Sequence, residues 1–173
     1  MYSIIRNILG KRGEGALRAQ DEMQRVVEEY SSSLLRAAYS LLKNREDSED
    51  AVQETFLRYM EKAPVFTSRE HEKAWLLRVA VNISKNHLSS AWFRKRTDLK
   101  EDIPALEQEE KEVLESVLKL PAKYRTVIHL YYYEGYSLSE ISQILRSPLS
   151  TVTTRLSRAR KKLAILLKED DPK

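Results

Sequence analysis

Cysteine is absent from this 173-residue chain, which excludes disulfide frameworks, thiolate zinc sites and cysteine nucleophiles. Glycine and proline are scarce, at four and five residues, too few for the regular turns of a β-sandwich or barrel. Long apolar runs are missing too. The opening Met1-Tyr2-Ser3-Ile4-Ile5 stretch is interrupted by Arg6 before Ile8 and Leu9, so it is too short for a signal core or a membrane span. His71, His87 and His129 lack metal-ligand spacing, and no Gly-x-x-x-x-Gly-Lys-Ser/Thr phosphate loop occurs. The expectation is a cytoplasmic chain with no direct membrane insertion, no metal, no cofactor and no enzymatic activity.

What is present points to helices. Hydrophobic residues make up 42% of the chain and charged residues 32%, a balance that suits helices with one buried stripe and one wet face. The expected class is all-α. Net charge is only +4, but its distribution is uneven. From Pro148 to Lys168 the basic residues Arg155, Arg158, Arg160, Lys161, Lys162 and Lys168 meet no acid, whereas Asp98 to Glu112 is strongly acidic. Opposite blocks of this kind suggest different partners.

Along the chain, residues 1–21 form a basic N-terminal extension. From Asp21 a helical period begins through Val26, Val27, Tyr30, Leu34, Leu35, Ala38, Leu41 and Leu42. After a polar break, Asp47 is a plausible N-cap for a second helix carrying Ala51, Val52, Thr55, Phe56, Tyr59 and Met60. Pro64 ends it, and Thr67 with Glu70 fits a capping box for a third helix running to about Arg96. Residues 97–106 carry little periodicity and contain Pro104, so they form a short acidic linker. Four further helices are expected over about 107–119, 121–133, 138–145 and 149–167, with Pro121 at a helix start and Gly135 in a turn.

The most informative stretch runs from Ser137 to Arg160. Ser137 and Glu140 make a Ser-x-x-Glu capping box, and Ile141, Ile144 and Leu145 supply an inward face. A turn at Arg146-Ser147 follows, where Ser147 can cap a helix with Pro148 in first position. Val152, Leu156, Ala159 and Leu163 then form a buried stripe, leaving Ser150, Thr151, Thr153, Thr154, Arg155 and Arg158 to project outward. Small hydroxyl residues let a helix approach base edges, and arginines behind them reach phosphates or a guanine. A basic face alone could be merely solvated; the capped short helix and tight turn before it favour a DNA-reading helix-turn-helix.

Five groups of residues carry a resemblance to the extracytoplasmic-function (ECF) sigma factors of the sigma-70 family. In the second half these are Leu120-Pro121-x-x-x-Arg125-x-Val127, Glu134-Gly135-Tyr136-Ser137-x-x-Glu140-Ile141 and Pro148-Leu149-x-Thr151-Val152-x-x-Arg155-Leu156-x-Arg158-Ala159-Arg160. In the first half, Glu49-Asp50-Ala51-Val52-Gln53-Glu54-Thr55-Phe56 is similar to the family's polymerase-binding signature, and Ala74-Trp75-Leu76-Leu77-Arg78-Val79-Ala80-Val81-Asn82 to its −10 segment.

The resemblance implies two small helical domains, region 2 over 22–96 and region 4 over 107–168, with a tail at 169–173. It implies an alternative sigma factor that binds core RNA polymerase through the β′ clamp and β flap and directs initiation at promoter DNA. Asp50, Gln53, Glu54 and Phe56 would bind polymerase. Phe66, Asn82, Lys85, Trp92 and Arg94 would capture the melted −10 strand, the loop from Lys62 to Arg69 receiving a flipped base. The outward residues of the last helix would read the −35 duplex. Asn82 could instead bond within the core, and Trp92 and Phe93 could be core residues. Many family members are held inactive by an anti-sigma factor, and such a partner is allowed for here. Arg146 stands where the family often has glycine, so no positive φ is expected there. Ser89, Ser150 and Thr153 also depart from common residues. An ordinary dimeric helix-turn-helix regulator is the rival reading; it would bind duplex without polymerase.

Overall fold

The computed structural model describes residues 14–62, 65–89 and 115–169, and those residues are helical apart from their connections. Helix α1 spans Glu14–Leu42, α2 Arg45–Lys62 and α3 Arg69–Ser89. After one helical turn at residues 115–119, α4 spans Ala122–Ile128 and continues as a π-helical turn, His129–Tyr133. Helix α5 is Leu138–Leu145 and α6 is Leu149–Glu169. The periodic residues read from the sequence enter the core: Val26, Leu34, Leu41, Val52, Leu76, Ile141 and Val152 are essentially inaccessible, and Leu77, Leu120, Ile128 and Leu130 join them.

Helices α1, α2 and α3 pack mutually as a three-helix bundle, and α4, α5 and α6 form a second packed set. The two sets also pack on each other, α1 against α4 and α3 against α5.

The helix boundaries refine several expectations. Helix α1 begins at Glu14, seven residues before the periodic run; residues 1–13 of the N-terminal extension lie outside the described residues. Asn44, not Asp47, caps α2: its Oδ1 accepts from the Asp47 backbone N–H at 2.8 Å. Ser68, not Thr67, caps α3, its hydroxyl accepting from the His71 N–H at 3.1 Å. Each shift is small and has the same origin, since several neighbouring polar residues could serve and backbone geometry selects one. Ser147 does not cap α6; its hydroxyl donates to the Leu145 carbonyl at 3.3 Å. The linker, the tail from 170 onward, the end of the third helix and the first part of the 107–119 helix lie outside the described residues.

One buried polar hub ties the bundle together. The Glu72 carboxylate, on a residue only 4% exposed, accepts two hydrogen bonds from Arg25 Nη2 at 3.0 and 2.9 Å. It also accepts one from Tyr30 at 3.0 Å and one from Tyr59 at 2.6 Å. Residues from all three helices therefore converge on one anion. Burial, reinforced by that carboxylate, pushes the Tyr30 phenol up to about 12.

Candidate nucleic-acid interface

The helix-turn-helix is built as its residues require. Ser137 is in extended backbone, its hydroxyl accepts from the Glu140 N–H at 3.3 Å, and Glu140 Oε2 accepts from the Ser137 N–H at 2.8 Å. This reciprocal box fixes where α5 starts. The helix ends at Arg146, which adopts φ +48 and ψ +47. The expectation that this position needs no positive φ is thus incorrect. The following N–H, of Ser147, reaches back to the Ser142 carbonyl at 3.0 Å, and that closure demands a left-handed residue. An arginine here costs about 1–2 kcal/mol in backbone strain.

On α6, Val152, Leu156 and Ala159 face the core, all under 5% exposed. Ser150, Thr153, Thr154 and Arg158 are exposed, while Thr151 and Arg155 are half-buried. Five of the six predicted residues, all but Thr153, line one open groove of about 290 Å³. Thr153 turns its hydroxyl to the Leu149 carbonyl of its own helix, at 2.9 Å.

Two groove residues escape sequence reasoning: Lys123 and Tyr124, at the start of α4. The Lys123 ammonium lies 5.2 Å from the Tyr124 ring centroid. A lysine at a helix N-terminus opposes the helix dipole, and that misfit is the one sequence signal that an anion is wanted there.

Arg160, third arginine of the family-like run, serves differently from Arg155 and Arg158. Its Nε donates to the Tyr132 hydroxyl at 2.8 Å, and its guanidinium stands 5.3 and 5.6 Å from the Tyr131 and Tyr132 rings. It braces α6 against the π turn.

In the bundle, Phe66 is half-buried and sits within an aromatic group. It stacks on Tyr59 at 6.0 Å, with Trp75 at 5.9 Å and His71 at 5.4 Å, both edge-on. Tyr59 is the same phenol that donates to Glu72, so the buried hub supports this group from below. Asn82 and Lys85 are half-buried on α3, three residues apart and hence on one face. Trp92 and Arg94 lie outside the described residues. Burial pushes the Lys85 ammonium below its ordinary range, and the positive charge of Arg155 adds to the effect. A predicted −10 residue thus lies within the electrostatic influence of a predicted −35 residue.

Of the predicted polymerase-binding residues, Asp50 is exposed and Gln53 and Glu54 are half-buried on α2. Phe56 is 4% exposed and belongs to the core, so it supports that face from behind. Glu54 is paired with Arg58 at 2.5 Å, and His87 Nε2 lies 3.8 Å from its other oxygen. Among the described residues no cluster of acidic or histidine side chains could hold a metal, and no helix is long and apolar enough to cross a membrane.

Comparison with known proteins adds independent findings. Residues 26–94 match the family model for sigma-70 region 2, and residues 110–163 that for sigma-70 region 4. The ECF RNA polymerase sigma factor SigW of Bacillus subtilis is 29% identical, over 87% of this chain and 91% of that protein. The ECF RNA polymerase sigma factor SigL of Mycobacterium tuberculosis is 30% identical, over 91% of this chain and 96% of that protein. Among solved structures, CnrH in complex with the cytosolic domain of CnrY superposes with a TM-score of 0.64 at 25% identity, covering 97% of both chains.

Proposed function

From the premise that this chain belongs to the ECF sigma factors of the sigma-70 family, and is thus an alternative sigma factor acting in transcription initiation, we propose how its residues divide the work. Sigma factors of this family bind RNA polymerase and promoter DNA and are not catalysts. Here the groove along α6 reads the −35 duplex. Ser150, Thr151 and Thr154 approach base edges, while Arg155, Arg158 and Lys123 take phosphates or a guanine edge. The bundle binds the polymerase through the outer face of α2, with Asp50, Gln53 and Glu54. The melted −10 strand is held along α3 by Asn82 and Lys85, with Phe66 and its aromatic neighbours offering a stacking surface worth roughly 1–3 kcal/mol per base. The likeness to CnrH, solved in complex with the cytosolic domain of CnrY, supports a further protein partner besides polymerase.

The observation that carries this reading is the groove that Ser150, Thr151, Thr154, Arg155 and Arg158 line together with Lys123. Arg155→Ala with Arg158→Ala tests it. Promoter-dependent transcript yield should fall while affinity for core polymerase, measured by fluorescence anisotropy, stays within twofold. Glu54→Lys should do the reverse. Equal loss of both properties in the arginine variant contradicts the division.

A further inference from the structure

Four rings from three segments make up the aromatic group of the bundle: Tyr59 on α2, Phe66 in the connection, and His71 and Trp75 on α3. Tyr59 is the ring that joins the others to the interior. It lies face to face with Phe66, 6.0 Å away at an interplanar angle of 12°, and edge-on to Trp75, 6.1 Å away at 70°. Its hydroxyl donates to Glu72 Oε1 at 2.6 Å. Phe66 belongs to a connection and not to a helix, so its tilt depends on the rings it rests on.

The bond from Tyr59 to Glu72 is of a directional kind. A hydroxyl on an ionised carboxylate makes a charge-assisted hydrogen bond, ordinarily ~2.5–2.7 Å long and roughly twice as strong as a neutral one. Burial, reinforced by the Glu72 carboxylate, pushes the Tyr59 phenol above its ordinary range, so it keeps its proton and remains a donor. Glu72 is itself held in place. Arg25 Nη2 bonds both of its oxygens, at 3.0 and 2.9 Å, and Arg25 is in turn paired with Glu22 and Glu29. Glu29 also pairs with Arg69 at 2.6 Å, three residues beyond Phe66, so the segment that carries Phe66 is tied to α1 at its downstream end as well.

Cohesion alone does not call for such a hub. Packed apolar residues commonly hold helices together as well as a buried charged group does, because the charge surrenders its hydration. What a satisfied polar network supplies is geometry, and this one ends on the ring against which Phe66 stacks. A binding constellation has to be held to within about 0.5 Å and 10–20° by the hydrogen bonds behind it. Aromatic contacts are of this demanding sort, since they favour offset-stacked or edge-on arrangements over other tilts.

We propose that Glu72 is a positioning residue for the −10 strand: through the Tyr59 phenol it sets the ring on which Phe66 rests, and with it the aromatic face that a captured base meets. This role rests on the assignment of Phe66 and its neighbours to the −10 strand, and the two are tested separately.

The preparation is holoenzyme assembled from core polymerase and the full-length chain, acting on a randomised promoter library well below the melting temperature of every variant. The readout is the ratio of chosen to rejected bases at the −10 element, with the −35 element as internal reference. Tyr59→Phe keeps the ring and loses only the donor. Selection at the most discriminating −10 position should fall about tenfold, the order of one stacked base, while −35 selection stays within about twofold. Tyr30→Phe is the control for a merely structural role. It removes a 3.0 Å hydrogen bond from the same carboxylate, at a ring only 3% exposed, and leaves the aromatic group untouched. It should lower the melting temperature at least as much as Tyr59→Phe and leave −10 selection within about twofold of the parent. Adding Glu72→Gln to Tyr59→Phe should weaken −10 selection no further, because both changes break one path. Selection that follows melting temperature across the two tyrosine variants, or that falls again in the double variant, overturns the positioning role. Phe66→Ala tests the assignment beneath it. Lost −10 selection in Phe66→Ala with normal selection in Tyr59→Phe refutes the positioning role alone, whereas normal selection in Phe66→Ala refutes both.

Discussion

Replacing Glu72 by alanine removes the one group on which α1, α2 and α3 converge. Arg25 would not be stranded, because it keeps Glu22 at 2.6 Å and Glu29 at 2.9 Å and its side chain is 25% exposed. The loss is therefore smaller than the ~3–5 kcal/mol that follows from leaving a fully buried charge alone. What remains is Tyr59, half-buried and without its acceptor, and Tyr30, buried and left with only the Arg69 carbonyl at 3.4 Å. At about 1–3 kcal/mol for each unsatisfied buried group, discounted for the wetter Tyr59, the expected loss is about 2–4 kcal/mol. For a chain of this length that corresponds to a fall in melting temperature of roughly 5–10 °C. Thermal unfolding followed by circular dichroism reads it, with Glu22→Ala as the control. Glu22 also pairs with Arg25, but its side chain is 54% exposed, and the expected loss is less than about 0.5 kcal/mol. If Glu72→Ala and Glu22→Ala melted together, the buried-hub argument would be wrong.

Three further predictions follow from single groups. Burial alone would raise the Glu134 carboxyl, but the nearby His129 imidazole, with Lys73 at 2.8 Å and the Ser33 hydroxyl at 2.7 Å, outweighs it and holds it at about 2; a lowered carboxyl stabilises the packing of the two helical sets above its ordinary pKa. Small-angle scattering should accordingly show the compact form at neutral pH, expanding as pH falls from about 4.5 toward 2; a radius constant over that window refutes the role. Lys123→Ala should weaken duplex binding alike for all sequences and reduce the salt slope of log affinity by about one, and an unchanged slope would remove Lys123 from the interface. Arg146→Gly relieves both the left-handed backbone and the repulsion with Arg78, so stability to urea should rise by about 1 kcal/mol; no gain would mean that the turn is unstrained.

Helices, core and the principal groove are legible in the sequence because they depend on local periodicity. Val152, Leu156 and Ala159 reveal by spacing which face of α6 is buried, and hence which residues remain for DNA. The Ser137–Glu140 box is legible for the same reason, its partners being three residues apart. Helix starts at Asn44 and Ser68 are displaced from the expected Asp47 and Thr67, because adjacent polar residues compete for one cap. The π turn at His129–Tyr133 leaves no periodic signature in five residues. Features built from distant positions are illegible: Glu72 meets Arg25 47 residues away, Ser33 meets Glu134 101 residues away, and Lys123 joins the α6 groove only through tertiary packing. Phe56 shows the converse difficulty, since a motif residue can be required for packing rather than contact.

Transcription reconstituted from core polymerase and a randomised promoter library, with and without the purified chain, tests the central claim most directly. The account predicts that transcripts dependent on the chain start downstream of a shared pair of sequence elements, and that Arg155→Ala with Arg158→Ala relaxes selection at the upstream element alone. Initiation that is the same with and without the chain, or selection at the upstream element that survives loss of both arginines, would contradict it.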